Sequence, residues 1–182
     1  MRQDDVTGAA QAVATPTIRQ ARSARDIDDA RRLFREYADW LKVDLCFQDF
    51  ERELASLPGA YAPPEGRLLV AGDPGKAFAC IALRPLASGC RCGPPATADR
   101  DIALGEVKRL YVRPARRGEG WGERLARELL REARAIGYRE LKLDTLAWMK
   151  EARALYARLG FRECAPYYDN PLDGAVYMSL AL

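Results

Sequence analysis

Apolar residues first recur at helical spacing in Ile27, Ala30, Phe34, Tyr37 and Leu41, which marks one buried face of a helix. Ser23, with Asp26 three positions on, resembles a capping box opening that helix, and Thr17 to Arg22 predicts a short strand before it. A second helix is expected over Asp49 to Leu57. The segment Tyr61 to Gly66 contains Pro63-Pro64, which removes backbone donors and forces extended geometry, so it is a connector. Arg67 to Ala71 and Ala77 to Leu83 are short apolar runs separated by Gly72-Asp73-Pro74-Gly75, the pattern of a hairpin. A long loop, Pro85 to about Arg100, precedes a strand over Leu104 to Val112.

The strongest stripe follows. Trp121, Leu125, Leu129 and Ile136, with Ala126, Leu130 and Ala133, face one way, and Glu123, Arg124, Arg127, Glu128 and Arg131 face the other, until Gly137 ends the helix. A strand over Leu141 to Asp144, a helix from about Met149 to Leu159 stopped by Gly160, and a strand near Ala175 to Leu180 complete the chain. No internal repeat is present. Hairpin strands followed by strand-helix-strand-helix predict an α/β domain: a mixed sheet with helices packed on its faces.

Composition narrows this picture without changing it. The 182 residues, 48% of them apolar, suit one domain with a sizeable core, expected over residues 17–182. Residues 1–16 lack periodicity and read as a flexible tail. With 29 basic and 26 acidic residues the net charge is +3, too mild for a nucleic-acid binder. The sequence offers neither an apolar span of membrane length nor a signal-peptide core, so no membrane partner and a cytoplasmic location are expected. The five cysteines (Cys46, Cys80, Cys90, Cys92, Cys164) are odd in number and read as free thiols. Cys90 and Cys92 could form half a metal site, but the chain has no histidine and no second cysteine pair, so no metal is expected.

Candidate chemistry concentrates in Arg113-Pro114-Ala115-Arg116-Arg117-Gly118-Glu119-Gly120-Trp121-Gly122, between a strand and the start of the amphipathic helix. Glycines let backbone amides approach a phosphate, the helix N-terminus adds its dipole, and the arginines add charge. A Walker-type loop is excluded because Gly122 is followed by Glu123 and Arg124 instead of Lys and Ser or Thr. A dinucleotide fingerprint comes closer, with Asp144 at the end of the next strand as a ribose-binding acid, but its third glycine would fall at Glu123. A plain tight entry to the helix with solvated arginines is the remaining alternative.

The spacing of Arg117, Gly120 and Gly122 resembles the pyrophosphate signature of the GNAT superfamily of acyl-CoA-dependent N-acyltransferases. Leu155-Tyr156-Ala157-Arg158-Leu159-Gly160-Phe161 is similar to the helix-to-strand block of the same family. The two motifs stand in the family's order, and strong resemblance covers Leu104 to Leu182. The resemblance implies a GNAT-like, mostly antiparallel central sheet flanked by helices, with one splayed parallel strand pair on either side of the Trp121 helix. It also implies an N-acetyltransferase that moves the acetyl group of acetyl-CoA to a primary amine by direct attack through a tetrahedral intermediate.

On that resemblance Leu110, Tyr111 and Val112 lie along the pantetheine arm, and Arg116, Arg117, Gly118, Glu119, Gly120, Trp121 and Gly122 hold the pyrophosphate. A bulge would splay the strand from its neighbour and open a cleft. Glu106 matches a position where several members carry a general base, and Tyr156 the position of an acid for the leaving thiolate. Each has a plainer reading: an ion pair of Glu106 with Lys108 or a nearby arginine, and a core-packing Tyr156. Met149 departs from the family, many members of which carry Asn there. On the acceptor side stand Trp40, Tyr37 and Phe47 from the first helices, with Tyr167, Tyr168 and Asn170 in a polar turn. Tyr37, at helical spacing, reads as core. No residue identifies the amine. A small molecule is favoured because no long charged docking run is present, and a homodimer stays open as a partner state. A module that binds acyl-CoA without turning it over is the alternative function.

Overall fold

The computed structural model describes residues 16–43, 49–86 and 104–182. The chain runs β1 (Ile18–Gln20), α1 (Ala24–Leu41), α2 (Phe50–Ser56), β2 (Arg67–Ala71), β3 (Ala79–Pro85), β4 (Leu104–Val112), α3 (Trp121–Ile136), β5 (Glu140–Leu146), α4 (Lys150–Arg158), β6 (Arg162–Glu163) and β7 (Ala175–Ala181), with one-turn 3-10 helices at Gly59–Tyr61 and Pro114–Arg116. The described strands form one seven-stranded sheet in the order β1-β2-β3-β4-β5-β7-β6. Its pairs are antiparallel except β4 with β5, the two strands joined through α3. This is the expected α/β architecture. No helix among the described residues is long and apolar enough to cross a membrane.

The sheet is buried on both faces at β2 and β3, which is why these two strands read as nearly unbroken apolar runs. On β2, Leu69 and Ala71 enter the core beneath α3, while Leu68 and Val70 enter the one beneath α1 and α2. Leu125, Leu129 and Ala133 fill the first core, and Leu33, Phe34 and Leu54 the second. The capping box forms as expected: the Asp26 amide donates to Ser23 Oγ at 3.2 Å and the Ser23 amide to Asp26 Oδ2 at 3.2 Å. Gly137 closes α3 in the left-handed conformation at φ +104°.

Strand ends shift by a few residues at β1, β3 and β5, and two departures have clear physical reasons. β3 starts at Ala79, because the preceding turn is tied to α1 by the buried Asp29, whose Oδ2 accepts from the amides of Gly75 (2.7 Å) and Ala77 (3.2 Å). β6 is only two residues long, both exposed and polar, so it leaves no periodic signal. The expected tail up to residue 15, Cys46 and Phe47, and the loop containing Cys90 and Cys92 lie outside the described residues.

One irregularity shapes the molecule's centre. Cys80 pairs with Tyr111 and Ala82 with Lys108, so β4 has an extra residue opposite β3. Arg109 sits there at φ +59°, and the side-chain phase flips: Val107 packs under α3 but Tyr111 under α1. Arg109 is held by Glu53 of α2 (Nε–Oε1 3.0 Å, Nη2–Oε2 2.6 Å). Beyond the bulge the neighbours part. β4 pairs β5 only over Leu104–Glu106 with Glu140–Lys142, whereas β5 pairs β7 through Leu146.

Candidate active site

The parting of β4 and β5 opens a cleft of about 900 Å³, bounded by both strands, the α3 N-terminus, α4 and the end of α1. Leu110, Tyr111 and Val112 line one wall. Their edge toward β5 has no strand partner there, so its backbone groups, apart from the Val112 carbonyl that accepts from Arg117 Nε, are available to an extended ligand.

At one end the chain turns from β4 into α3. Gly118 (φ +81°) and Gly120 (φ +80°) adopt conformations that side-chain-bearing residues avoid, and a Cβ at either would meet no heavy atom within 4 Å. Gly120 is the N-cap and provides no capping side chain, so the first-turn amides of α3 remain free for an anion. Gly122 differs. A Cβ there would meet Leu155 Cδ2 at 3.5 Å, an ordinary van der Waals contact, so space at this position does not by itself require glycine. Among the described residues Arg117 has no carboxylate partner. Its guanidinium lies over Trp40 at 4.6 Å, and its Nε donates to the Val112 carbonyl at 3.0 Å. Arg116 is held by Glu119 (2.9 Å) over the Phe78 ring, and Arg113 turns to Glu36 (2.7 Å). Trp121 is buried against Phe78, its indole N–H donating to Glu119 at 3.0 Å, so its side chain anchors the loop. This set of amides and cations fits a pyrophosphate.

At the other end, carboxylates converge. Glu106, 1% exposed, accepts from Arg84 Nε (2.7 Å) and from the Tyr167 hydroxyl (3.0 Å), with Lys108 Nζ at 3.6 Å. Lys108 also donates to Asp144 Oδ1 at 3.0 Å. Asn170 bridges Asp144 Oδ2 (3.4 Å) and the Tyr168 hydroxyl (2.9 Å). Lys108 and Asp144 line the cleft. Tyr156 lines it too, from α4, with its ring edge-on to Phe161 at 5.5 Å. Its hydroxyl bonds to no described residue. Burial first, then the charges of Tyr37 and Asp144, push this phenol well above the ordinary tyrosine range. Tyr37 is pushed up to about 12, mainly by burial.

The acetyltransferase (GNAT) family profile matches residues 27–161, most of the chain. The chain belongs to the GNAT acetyltransferase family. A Schizosaccharomyces pombe protein named an uncharacterized N-acetyltransferase is 36% identical over 167 residues, covering 91% of this chain and 94% of that one. The crystal structure of an acetyltransferase from Streptococcus agalactiae superposes with TM-score 0.64 at 18% identity, covering 92% and 98% of the two chains. That of PaiA N-acetyltransferase from Thermoplasma acidophilum in complex with coenzyme A gives 0.65 at 16%, covering 92% and 99%. Acetyl transfer from acetyl-CoA is the chemistry of the GNAT family.

Within this GNAT fold the residues singled out from sequence occupy distinct places. Arg116, Arg117, Gly118, Gly120 and Gly122 line the cleft at the α3 end, with Glu119 and Trp121 bracing the loop. Tyr156 and Trp40 line it as well. Glu106 does not. It lies one layer behind, where the ion pairs weighed as its plainer reading, with Lys108 and a nearby arginine, are both present. Tyr167 supports Glu106, while Tyr168 and Asn170 support Asp144. Tyr37 both packs against the α1 core and lines the cleft, so the core reading covers half of its surroundings. Met149 also lines the cleft, its sulfur accepting from the Thr145 hydroxyl at 3.6 Å. Sequence reasoning missed Lys108 as a cleft residue and assigned Asp144 only to the competing nucleotide reading. The strand alternation Glu106, Lys108 and Lys142, Asp144 was the signal available, since charges at period two on inner strands need a reason.

Proposed function

We propose that this GNAT protein acetylates a primary amine of a small molecule. The reading rests on one observation: a single cleft joins a glycine- and arginine-lined loop at the α3 N-terminus to a paired carboxylate cluster and the hydroxyl of Tyr156, unpaired among the described residues. Acetyl-CoA, when bound, supplies an activated thioester. The amides around Gly118 and Gly120, with Arg117, hold its pyrophosphate, and the free edge of Leu110, Tyr111 and Val112 takes the pantetheine arm.

An alkyl ammonium with pKa about 10 is neutral in only about one molecule per thousand at pH 7, so a base must take its proton. Glu106 fills that role through an intervening water, because it stands behind the cleft wall. Tyr156, kept protonated by burial, offers its proton to the departing thiolate; being the weaker acid of the two, it acts chiefly as a hydrogen-bond donor. Trp40 shapes the acceptor side, and Tyr167, Tyr168 and Asn170 hold the carboxylates. A small acceptor is favoured by the absence of a long charged docking run in the sequence.

The test is a panel of small amines, peptides with free amino termini and lysine-bearing proteins, each incubated with acetyl-CoA while free thiol is followed. Amine-dependent thiol release with small amines is expected. Release only with proteins would overturn the small-molecule acceptor, and release with none would favour a non-catalytic acyl-CoA-binding module.

A further inference from the structure

We infer that Asp144 is the docking site for the acceptor's ammonium group, so that the acceptor is a cationic alkylamine recognised by its charge before it reacts. The inference rests on the acetyl-transfer reading and adds to it a binding residue and a substrate class.

Three features of the cluster carry it. First, Asp144 is a carboxylate that lines the cleft, whereas Glu106 lies behind it. β5 directs Leu141 and Leu143 into the core under α3, and the alternation leaves Asp144 on the opposite face where β4 has diverged. Second, its coordination is unfinished. Lys108 takes Oδ1 at 3.0 Å, but Asn170 approaches Oδ2 only at 3.4 Å, and a carboxylate offers about four acceptor positions. The Tyr168 phenol, whose oxygen accepts from the same Asn170 at 2.9 Å, is pushed up first by burial and then by the charge of Asp144. Third, Tyr156 points to a ligand independently: it is 7% exposed, lines the same cleft, and its hydroxyl has no partner among the described residues. A ligand held on Asp144 is therefore within the same enclosure as the proposed proton donor.

Charge balance ties this site to the chemistry. Arg84 and Lys108 against Glu106 and Asp144 sum to zero. A docked ammonium raises the cluster to +1; its proton passes through a water to Glu106, leaving the nucleophilic amine beside Asp144, and the cluster returns to zero when Glu106 releases that proton to solvent. Asp144 thus holds the amine as its cation, which is why removal of the proton needs Glu106.

The experiment measures binding of n-butylamine, with 1-butanol as its uncharged counterpart, to CoA-saturated protein through the fluorescence of Trp40 and Trp148, which line the cleft. The parent, Asp144→Asn, Asp144→Glu and the double variant Asp144→Asn/Lys108→Met are compared, with circular dichroism to check folding. Butylamine is expected to bind the parent at least tenfold more tightly than butanol, and that preference should vanish in Asp144→Asn and in the double variant but persist in part in Asp144→Glu. With any amine turned over, Asp144→Asn should raise KM tenfold or more while kcat stays within about threefold. Undiminished amine binding in folded Asp144→Asn overturns the inference. So does recovery in the double variant, which would mean that Asp144 only neutralises Lys108, and so does a parent without preference for butylamine. Calorimetric titration of acetyl-CoA into the same samples separates the two readings: absent binding in the parent defeats acetyl transfer itself, whereas binding equal in parent and Asp144→Asn leaves it standing whatever the amine does.

Discussion

The two ends of the cleft are made in different ways. The α3 end is assembled from residues 116 to 122, and its working groups are backbone amides exposed by glycines in the left-handed region. The carboxylate end draws on β3, β4, β5 and the turn before β7, and its working groups are side chains holding one another through ion pairs. The local end can be altered without disturbing the core. The dispersed end shares its scaffold with the core, because the bulge that opens it is fixed by the buried Arg109–Glu53 pair.

That difference predicts the largest effect at a residue outside the cleft lining. Glu53→Gln removes the charge opposing buried Arg109 and should cost about 3 kcal/mol of stability by urea unfolding. A charge-removing change at the exposed Arg127–Glu123 pair should cost under about 0.5 kcal/mol. The pH dependence has a defined sign. Burial alone would raise the Glu53 carboxyl, but the bonds and charge of Arg109 and the Tyr61 hydroxyl hold it net below its ordinary value. Its stabilisation is therefore present above the unfolded value of about 4.3 and lost as pH falls through the lower folded value. The urea midpoint of the parent should fall more steeply between pH 5 and pH 3 than that of Glu53→Gln, and parallel curves would show that the pair does not hold the bulge.

Next in size are the catalytic substitutions, which should leave acetyl-CoA affinity within about twofold. Glu106→Gln should lower turnover about a hundredfold or more at neutral pH, and Tyr156→Phe should also lower it. Their pH profiles should diverge. Raising pH supplies about ten times more neutral amine per unit below its pKa of about 10, which rescues the Glu106 variant in part. Tyr156 stays protonated over pH 7 to 9 because burial raises it, so the deficit of its Phe variant should stay constant. A constant deficit in Glu106→Gln as well would remove it as the base.

The smallest effects should separate the arginines. Arg117, with no carboxylate partner among the described residues, should lose about fivefold to tenfold in acetyl-CoA affinity on change to Gln. Arg116, already paired with Glu119, should lose about twofold or less. Equal losses would mean that Glu119 releases Arg116 when the ligand binds.

The same contrast explains what could be read from the chain alone. Arg117, Gly120 and Gly122 announce a phosphate loop because backbone sites are contiguous in sequence, and helical periodicity fixes α3 to within its caps. The sheet order follows from hairpin spacing and the α3 crossover. The bulge was legible only through the family resemblance: Arg109 is not glycine, and nothing in Lys108-Arg109-Leu110 marks a left-handed residue. Without the location of the bulge, the facing of Glu106, Lys108 and Asp144 could not be derived. Their meeting depends on register between β4 and β5, strands separated by a whole helix.

Calorimetric titration of acetyl-CoA into the parent and into Gly120→Val tests the central claim, that a backbone cradle at the α3 N-terminus holds the cosubstrate, most directly. Gly120 sits at φ +80° beside open space, so a β-branched side chain would both strain the loop by about 1–2 kcal/mol and occupy the cradle. The parent should bind one acetyl-CoA per chain, and a folded Gly120→Val should bind at least tenfold more weakly. Equal affinity in the two proteins would contradict the account.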